Sequence, residues 1–167
     1  LLFYLGLELS TIPLAALVNF DLEKKKSAEA AMKMIMMSAF SSALLLFGIS
    51  FFYGTMGTLH FQEIPAALNG SDLQLYCLIL LIAAFGFKIS AVPFHFWTAD
   101  VYEGAPVPVT SYLSVISKGS ILFVMTTVLY NVFAGMGVEW YLIICVLAVA
   151  TMITGNIFAV RDHNLKR

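Results

Sequence analysis

The chain has 167 residues, of which 60% are hydrophobic and only 11% are charged, with a formal net charge of −1 at pH 7. Soluble domains typically have about 25% charged residues, so this composition excludes an ordinary soluble protein and predicts an integral membrane protein. No basic face indicates nucleic-acid binding. The sequence has no glycine-rich nucleotide motif and no Cys/His spacing typical of a metal site, so we expect no cofactor or metal in this chain.

Five segments are apolar enough to cross a bilayer, which takes about 20 residues, with a range of about 17 to 25. We predict an all-α integral membrane protein in which Ser27 and Asp72 cap the second and third helices. Residues 1–167 are expected to form a single transmembrane domain from a longer protein. The predicted helices cover residues 2–20, 27–53, 72–92, 107–133 and 138–160.

The third helix is predicted to break near Pro93. Proline lacks a backbone N–H and is disfavoured inside a helix. A helix that continued from Asp72 to Glu103 would be about 48 Å long at about 1.5 Å per residue, which exceeds a hydrocarbon core of about 30 Å. We therefore expect a separate short helix over residues 94–103.

The positions of the basic residues predict the orientation of the chain. Six of the nine lysines and arginines lie in two segments, 21–26 and 161–167. With five crossings, these segments share one side of the membrane with the connection 94–106. Positive charge marks the cytoplasmic side, so all three segments are predicted to be cytoplasmic in a bacterial inner membrane.

The other three lysines and one glutamate lie within the hydrophobic segments: Glu8, Lys33, Lys88 and Lys118. A charge at the centre of a membrane helix costs about 2.5–3.5 kcal/mol, so these groups must face one another, water or a partner subunit. One interpretation is a structural ion pair of Glu8 with Lys88 or Lys33, with lysine side chains that reach the membrane surface. The other is a hydrated proton relay, since broken helices line cavities and ion sites in transporters.

Three further polar residues follow the predicted break. His95 either passes protons between the cytoplasm and Lys88 or is an ordinary histidine at the membrane surface. Asp100 and Glu103 are expected to cap or order the cytoplasmic connection, and the alternative is that they collect protons.

A long motif around the break resembles a known family. Residues 87–120 read FKISAVPFHFWTADVYEGAPVPVTSYLSVISKGS, with one lysine before SxxPFHxW, then DVYEGAPxPV, then a second lysine. This run resembles the signature of subunit N of the proton-pumping NADH:quinone oxidoreductase, respiratory complex I. Three other runs resemble the same family: GLELSTIPLAALV at residues 6–18, EAAMKMIMMSAFSSALLLFGISFFYG at residues 29–54 and GNIFAVRDHNLKR at residues 155–167.

The resemblance implies an antiporter-like membrane subunit of about fourteen helices, built on inverted repeats of the kind found in transporters. Such a subunit has no redox centre and moves protons through a buried Glu/Lys relay, coupled to quinone reduction elsewhere in the complex. Glu8 and Lys88 resemble the family's glutamate–lysine pair, Lys118 resembles its central relay lysine, and Lys33 resembles an additional lysine near the pair.

The resemblance also implies partners. NADH, FMN, iron–sulfur clusters and quinone are expected in partner subunits, and this chain is expected to contact other membrane-arm subunits and lipid. An alternative is a subunit of a multisubunit cation/proton antiporter or of a membrane-bound hydrogenase, which share the architecture. The DVYEGAP run together with Lys118 favours subunit N.

Overall fold

The computed structural model describes residues 1–161, and its regular elements are all helical. Residues 162–167, which belong to the predicted cytoplasmic segment 161–167, lie outside the described residues. Besides α-helices, the chain contains a π-helical segment, Tyr112–Ser117, and a 3₁₀ turn, Ala134–Met136. The α-helices are α1 (Leu2–Val18), α2 (Lys25–Met56), α3 (Ile64–Ala67), α4 (Asp72–Ile89), α5 (Phe96–Gly104), α6 (Val107–Ser111), α7 (Lys118–Asn131) and α8 (Gly137–Arg161).

The predicted all-α membrane architecture is confirmed. Within residues 1–161, four helical stretches are long and apolar enough to cross a membrane: Lys25–Met56, Asp72–Ile89, Val107–Asn131 and Ala134–Arg161. The remaining apolar helix, α1, has 17 residues, which is at the short end of the range for a membrane span. The chain is therefore an integral membrane protein.

Helix α2 is the centre of the packing, because it contacts α1, α4 and α5. One apolar cluster joins α1, α2, α4 and α7 around Leu45, Leu78 and Phe85. A second cluster, around Val18 and Val101, fills the space where α5 lies against α2. Most of α8 is exposed in the described chain, as expected for a helix that faces lipid or further membrane helices.

The break in the third predicted helix is confirmed, and α4 ends before Pro93. Its last residue is Ile89, and Ser90 adopts a left-handed backbone conformation with φ of 67°. The N–H of Ala91 donates to the carbonyl oxygen of Gly86 at 2.9 Å. This terminal turn satisfies a carbonyl that the end of a helix would otherwise leave without a partner.

Two hydrogen bonds to other helices hold the broken segment in place. The indole N–H of Trp97, on α5, donates to the carbonyl oxygen of Phe87 at 3.2 Å. The N–H of Val92 donates to the hydroxyl of Thr151, on α8, at 3.0 Å. These two hydrogen bonds satisfy backbone groups on both sides of the break, which irregular backbone at membrane depth requires.

Both predicted helix caps are wrong. Helix α2 begins at Lys25, and the Ser27 hydroxyl donates to the carbonyl oxygen of Val18 at 2.7 Å, which links the start of α2 to the end of α1. Helix α4 is capped by Ser71, whose side chain accepts a hydrogen bond from the backbone N–H of Gln74. Serine at this position satisfies one of the free N–H groups of the first turn.

Candidate functional site

Glu8 on α1 and Lys88 on α4 form an ion pair inside the bundle. The Lys88 Nζ lies 3.9 Å from Glu8 Oε1, and the lysine side chain is only 8% exposed. This separation is too long for a hydrogen bond. Lys88 Nζ is buried and has no hydrogen-bond partner among the described residues. The two opposite charges therefore face each other without a direct bond.

A serine that the sequence did not single out also contacts the glutamate. The Ser42 hydroxyl, on α2, donates to Glu8 Oε1. Ser42 is buried, with 4% of its surface exposed. Nothing in the sequence separates it from the other serines of α2, since a helical serine often bonds only its own backbone.

Lys88 and Lys118 line the same internal cavity, which has a volume of about 60 Å³. About 10–15 Å³ of such space holds one water molecule if polar partners are present, so the cavity has room for a few waters. Several hydroxyl groups around it can bond water: those of Ser10, Thr11, Ser38, Ser41, Tyr102 and Ser117. The structure thus brings the two predicted relay lysines to one cavity, whose mostly apolar wall carries several polar side chains.

Lys118 is the first residue of α7, directly after the π-helical segment Tyr112–Ser117. Its Nζ lies 5.2 Å from the centre of the Tyr102 ring, within the range of a cation–π interaction. The Tyr102 hydroxyl is buried without a hydrogen-bond partner in the described part of the chain. Burial raises the pKa of Tyr102 to about 12, so the phenol keeps its proton. Tyr102 is a second site residue that sequence reasoning missed.

Lys33 is placed differently from the sequence interpretation. Its Nζ lies 2.6 Å from carboxylate oxygens of both Glu29 and Asp100. Of the two pairings left open for Glu8, the structure therefore contains the one with Lys88. Lys33 instead joins α2 to α5, which matches the ordering role expected for Asp100.

His95 directly precedes α5, at its N-cap position. Both of its ring nitrogens are buried without a hydrogen-bond partner among residues 1–161. The ring lies against the aromatic rings of Phe96 and Phe158. Within the described part of the chain, His95 does not line the cavity that Lys88 and Lys118 share. Its role in proton entry therefore stays a prediction.

The arrangement supplies proton donors and acceptors, with one carboxylate, two amines and a phenol around a space for water. All 167 residues match the family model described as "NADH:quinone oxidoreductase/Mrp antiporter, TM". The chain belongs to this family. The family description covers NADH:quinone oxidoreductase subunits, which the sequence favours, and antiporter subunits, which are one part of the alternative.

Curated relatives within the family favour one of the two. NADH-quinone oxidoreductase subunit N of Phocaeicola vulgatus is 52% identical over 100% of the chain. Subunit N of Desulforamulus reducens is 44% identical over 98% of the chain. The chain covers 35% of the length of each of these relatives. The resemblance to subunit N is confirmed, and the chain spans about a third of such a protein.

Solved structures show the same fold within larger bundles. Respiratory complex I from Thermus thermophilus with bound aureothin matches 71% of this chain and 26% of its own, with a TM-score of 0.64 and 35% identity. The archaeal membrane-bound sulfane sulfur reductase matches 77% of this chain and 26% of its own, with a TM-score of 0.70 and 27% identity. The described helices are part of a larger antiporter-like bundle of this family.

Proposed function

We propose that this chain is part of a proton-translocating membrane-arm subunit of NADH:quinone oxidoreductase. Protons move through a relay of Glu8, Lys88 and Lys118, driven by quinone reduction elsewhere in the complex. The observation that carries this proposal is the cavity that both lysines share, beside the open Glu8 and Lys88 pair. The identity of 52% with a subunit N supports the choice of complex.

The first step of the relay takes place at the ion pair. A nearby carboxylate stabilises an ammonium group in the membrane interior. A change in the protein that increases the distance from Glu8 to Lys88 therefore favours loss of the Lys88 proton. The neighbouring water-sized cavity offers the released proton a route to Lys118.

The second step takes place at Lys118. The Tyr102 ring stabilises the protonated lysine through its negative face, and the cavity connects the amine to water. Lys118 passes the proton on toward the part of the subunit beyond this sequence and the outer face of the membrane. Lys33 and His95 are assigned supporting roles at the cytoplasmic end, the latter as a proton entry point.

The surroundings of the chain follow from the same proposal. NADH, FMN, the iron–sulfur clusters and quinone bind in partner subunits, and this chain contributes no redox centre. Its direct partners are other membrane-arm subunits and lipid. The membrane is the bacterial inner membrane, with residues 21–26, 94–106 and 161–167 on the cytoplasmic side, in accord with the positive-inside pattern.

A subunit of a cation/proton antiporter or membrane-bound hydrogenase is the alternative within the same architecture. The TM-score of 0.70 with an archaeal respiratory complex reflects that shared fold. The matches to subunit N of two bacteria, at 52% and 44% identity over 100% and 98% of this chain, favour NADH:quinone oxidoreductase.

Neutralising Glu8 tests the proposal. In the full-length subunit assembled in its complex, we expect Glu8→Gln to lower NADH:quinone turnover about tenfold or more, a change of about 1.4 kcal/mol in the barrier. The reason is that Lys88 loses the counter-charge that lets it take up a new proton after each release. The measurement is turnover per assembled complex, with the amount of complex determined separately.

The matched control is Glu139→Gln, because Glu139 lies exposed in the first turn of α8. This control should turn over at the unmodified rate. Unmodified turnover in assembled Glu8→Gln complex would refute the relay.

A further inference from the structure

Ser42 and Lys88 both approach the same oxygen of the same carboxylate. The Ser42 hydroxyl donates to Glu8 Oε1, while Lys88 Nζ lies 3.9 Å from that atom. The serine thus makes the hydrogen bond that the ammonium group does not make. Ser42 comes from α2 and Lys88 from α4, so the two donors reach Glu8 from different helices.

The Ser42 hydroxyl has a second acceptor within reach. The carbonyl oxygen of Ser38, one turn earlier in α2, lies 2.9 Å from the Ser42 Oγ. A hydroxyl group has a single proton to donate, so it can serve Glu8 or Ser38 but not both at full strength. Rotation of the Ser42 hydroxyl therefore exchanges its hydrogen bond to Glu8 for one to the Ser38 carbonyl, and the hydroxyl proton has an acceptor in both positions.

We propose that Ser42 is a positioning residue that sets the separation of Glu8 and Lys88. With its proton on Glu8, Ser42 holds the carboxylate away from the lysine and the pair stays open. With its proton on the Ser38 carbonyl, the carboxylate is free to close on Lys88. This inference rests on the proposed relay, and it names the side chain through which the strength of the pair is adjusted.

Loss of the Ser42 hydroxyl is expected to slow the relay. Without the Ser42 donor, Glu8 makes its bond to Lys88 instead, and the closed pair retains the lysine proton. We therefore expect the relay to slow because its first step is the release of that proton. The effect depends on the donor and not on the volume of the side chain, which allows the two to be separated.

The experiment compares four variants of the full-length subunit in its complex. Ser42→Ala and Ser42→Cys remove the strong donor, and cysteine nearly preserves the volume of serine while its thiol donates only weakly. Ser42→Thr keeps the hydroxyl. Ser27→Ala is the matched control, because this serine is also buried on α2 and its hydroxyl bonds a backbone carbonyl.

We expect about a tenfold fall in proton translocation and turnover per assembled complex for Ser42→Ala and Ser42→Cys. Ser42→Thr should stay within about twofold of the unmodified complex, and Ser27→Ala should be unchanged per complex. If Ser42→Ala fails to assemble, the comparison of Ser42→Cys with Ser42→Thr decides.

Two results would overturn the proposal: full activity of the assembled Ser42→Cys complex, or equal loss in Ser42→Cys and Ser42→Thr. Failure of the relay itself is distinguishable. If Glu8→Gln leaves turnover unmodified, the proposed function fails. If Glu8→Gln impairs turnover and Ser42→Cys does not, only the role of Ser42 fails.

Discussion

The charged groups inside the membrane helices are stabilised in two different ways. Glu8 and Lys88 lie within 3.9 Å of each other, and the serine hydroxyl adds a bond to the carboxylate. Lys118 instead lies over the Tyr102 ring and beside the cavity. The first pair is held by opposite charge. The central lysine relies on an aromatic face and on space for water.

A lysine that relays protons must be able to lose its own. We expect Lys118→Arg to lower NADH:quinone turnover about tenfold in the assembled complex, because a guanidinium keeps its proton under all ordinary conditions. The measurement is turnover per complex. The control is Lys24→Arg, since Lys24 pairs with Asp21 in an exposed turn, and it should leave turnover unchanged. An unimpaired Lys118→Arg complex would contradict the relay role of Lys118.

The charged half of the site is predictable from the sequence, and the uncharged half is not. Glu8, Lys88 and Lys118 stand out because charge is costly in an apolar helix. Ser42 and Tyr102 do not, since serine is tolerated in any helix and tyrosine is common at membrane surfaces.

The partner of Lys33 depends on how distant segments meet. Asp100 lies 67 residues further along the chain, and only the docking of α5 on α2 brings the two side chains together. The expectation that Lys33 lies near the Glu8 and Lys88 pair came from the family resemblance, and the sequence alone does not show which helix faces are in contact.

At the level of the elements, α5 is held against α2 mainly by close packing. Lys26 pairs with Glu103 and Lys33 pairs with Asp100. Exposed ion pairs contribute at most about 1 kcal/mol each. Gly104 lies so close to α2 that a methyl group added there would come within 2.5 Å of the carbonyl oxygen of Lys26.

Gly104→Ala tests this packing. We expect the added methyl group to push α5 away from α2 at a cost of about 1–3 kcal/mol. Amide hydrogen exchange of residues 96–104 in the assembled complex should then be about fivefold or more faster. Gly54→Ala is the control, because nothing lies within 4 Å of a methyl group added at that position. Unchanged exchange in Gly104→Ala would mean that α5 does not depend on this contact.

The elements show which local features a sequence specifies. Apolar length predicted the membrane helices, and helix length together with Pro93 predicted the break. The end of α4 lies at Ile89 because Ser90 adopts a left-handed conformation, which is unusual for serine. The π-helical segment Tyr112–Ser117 was not predicted, since it is defined by backbone hydrogen bonding with no residue signature of its own. Such segments are frequent at functional sites, and this one ends directly before Lys118.

At the scale of the whole molecule, two of the three segments predicted to be cytoplasmic meet at one end of the bundle. Segment 21–26 contacts the α5 region through Lys26 and Glu103, whose charged atoms are 2.8 Å apart. The two segments therefore lie on the same side, as the count of crossings predicts. This contact also places Lys33, Asp100 and His95 toward the side from which protons are proposed to enter.

The chain covers 35% of the length of its curated relatives, and α8 leaves a broad apolar face exposed. In the relay proposed above, Lys118 is the last member within this sequence and passes its proton to the rest of the subunit.

The most direct test of the relay is proton translocation by a Lys88→Ala complex in sealed vesicles. Proton movement and NADH oxidation are followed together, with the amount of assembled complex measured independently. We predict that both rates fall about tenfold or more, because alanine can neither pair with Glu8 nor carry the proton to the cavity. A fully assembled Lys88→Ala complex that pumps protons and oxidises NADH at the unmodified rates would contradict the relay.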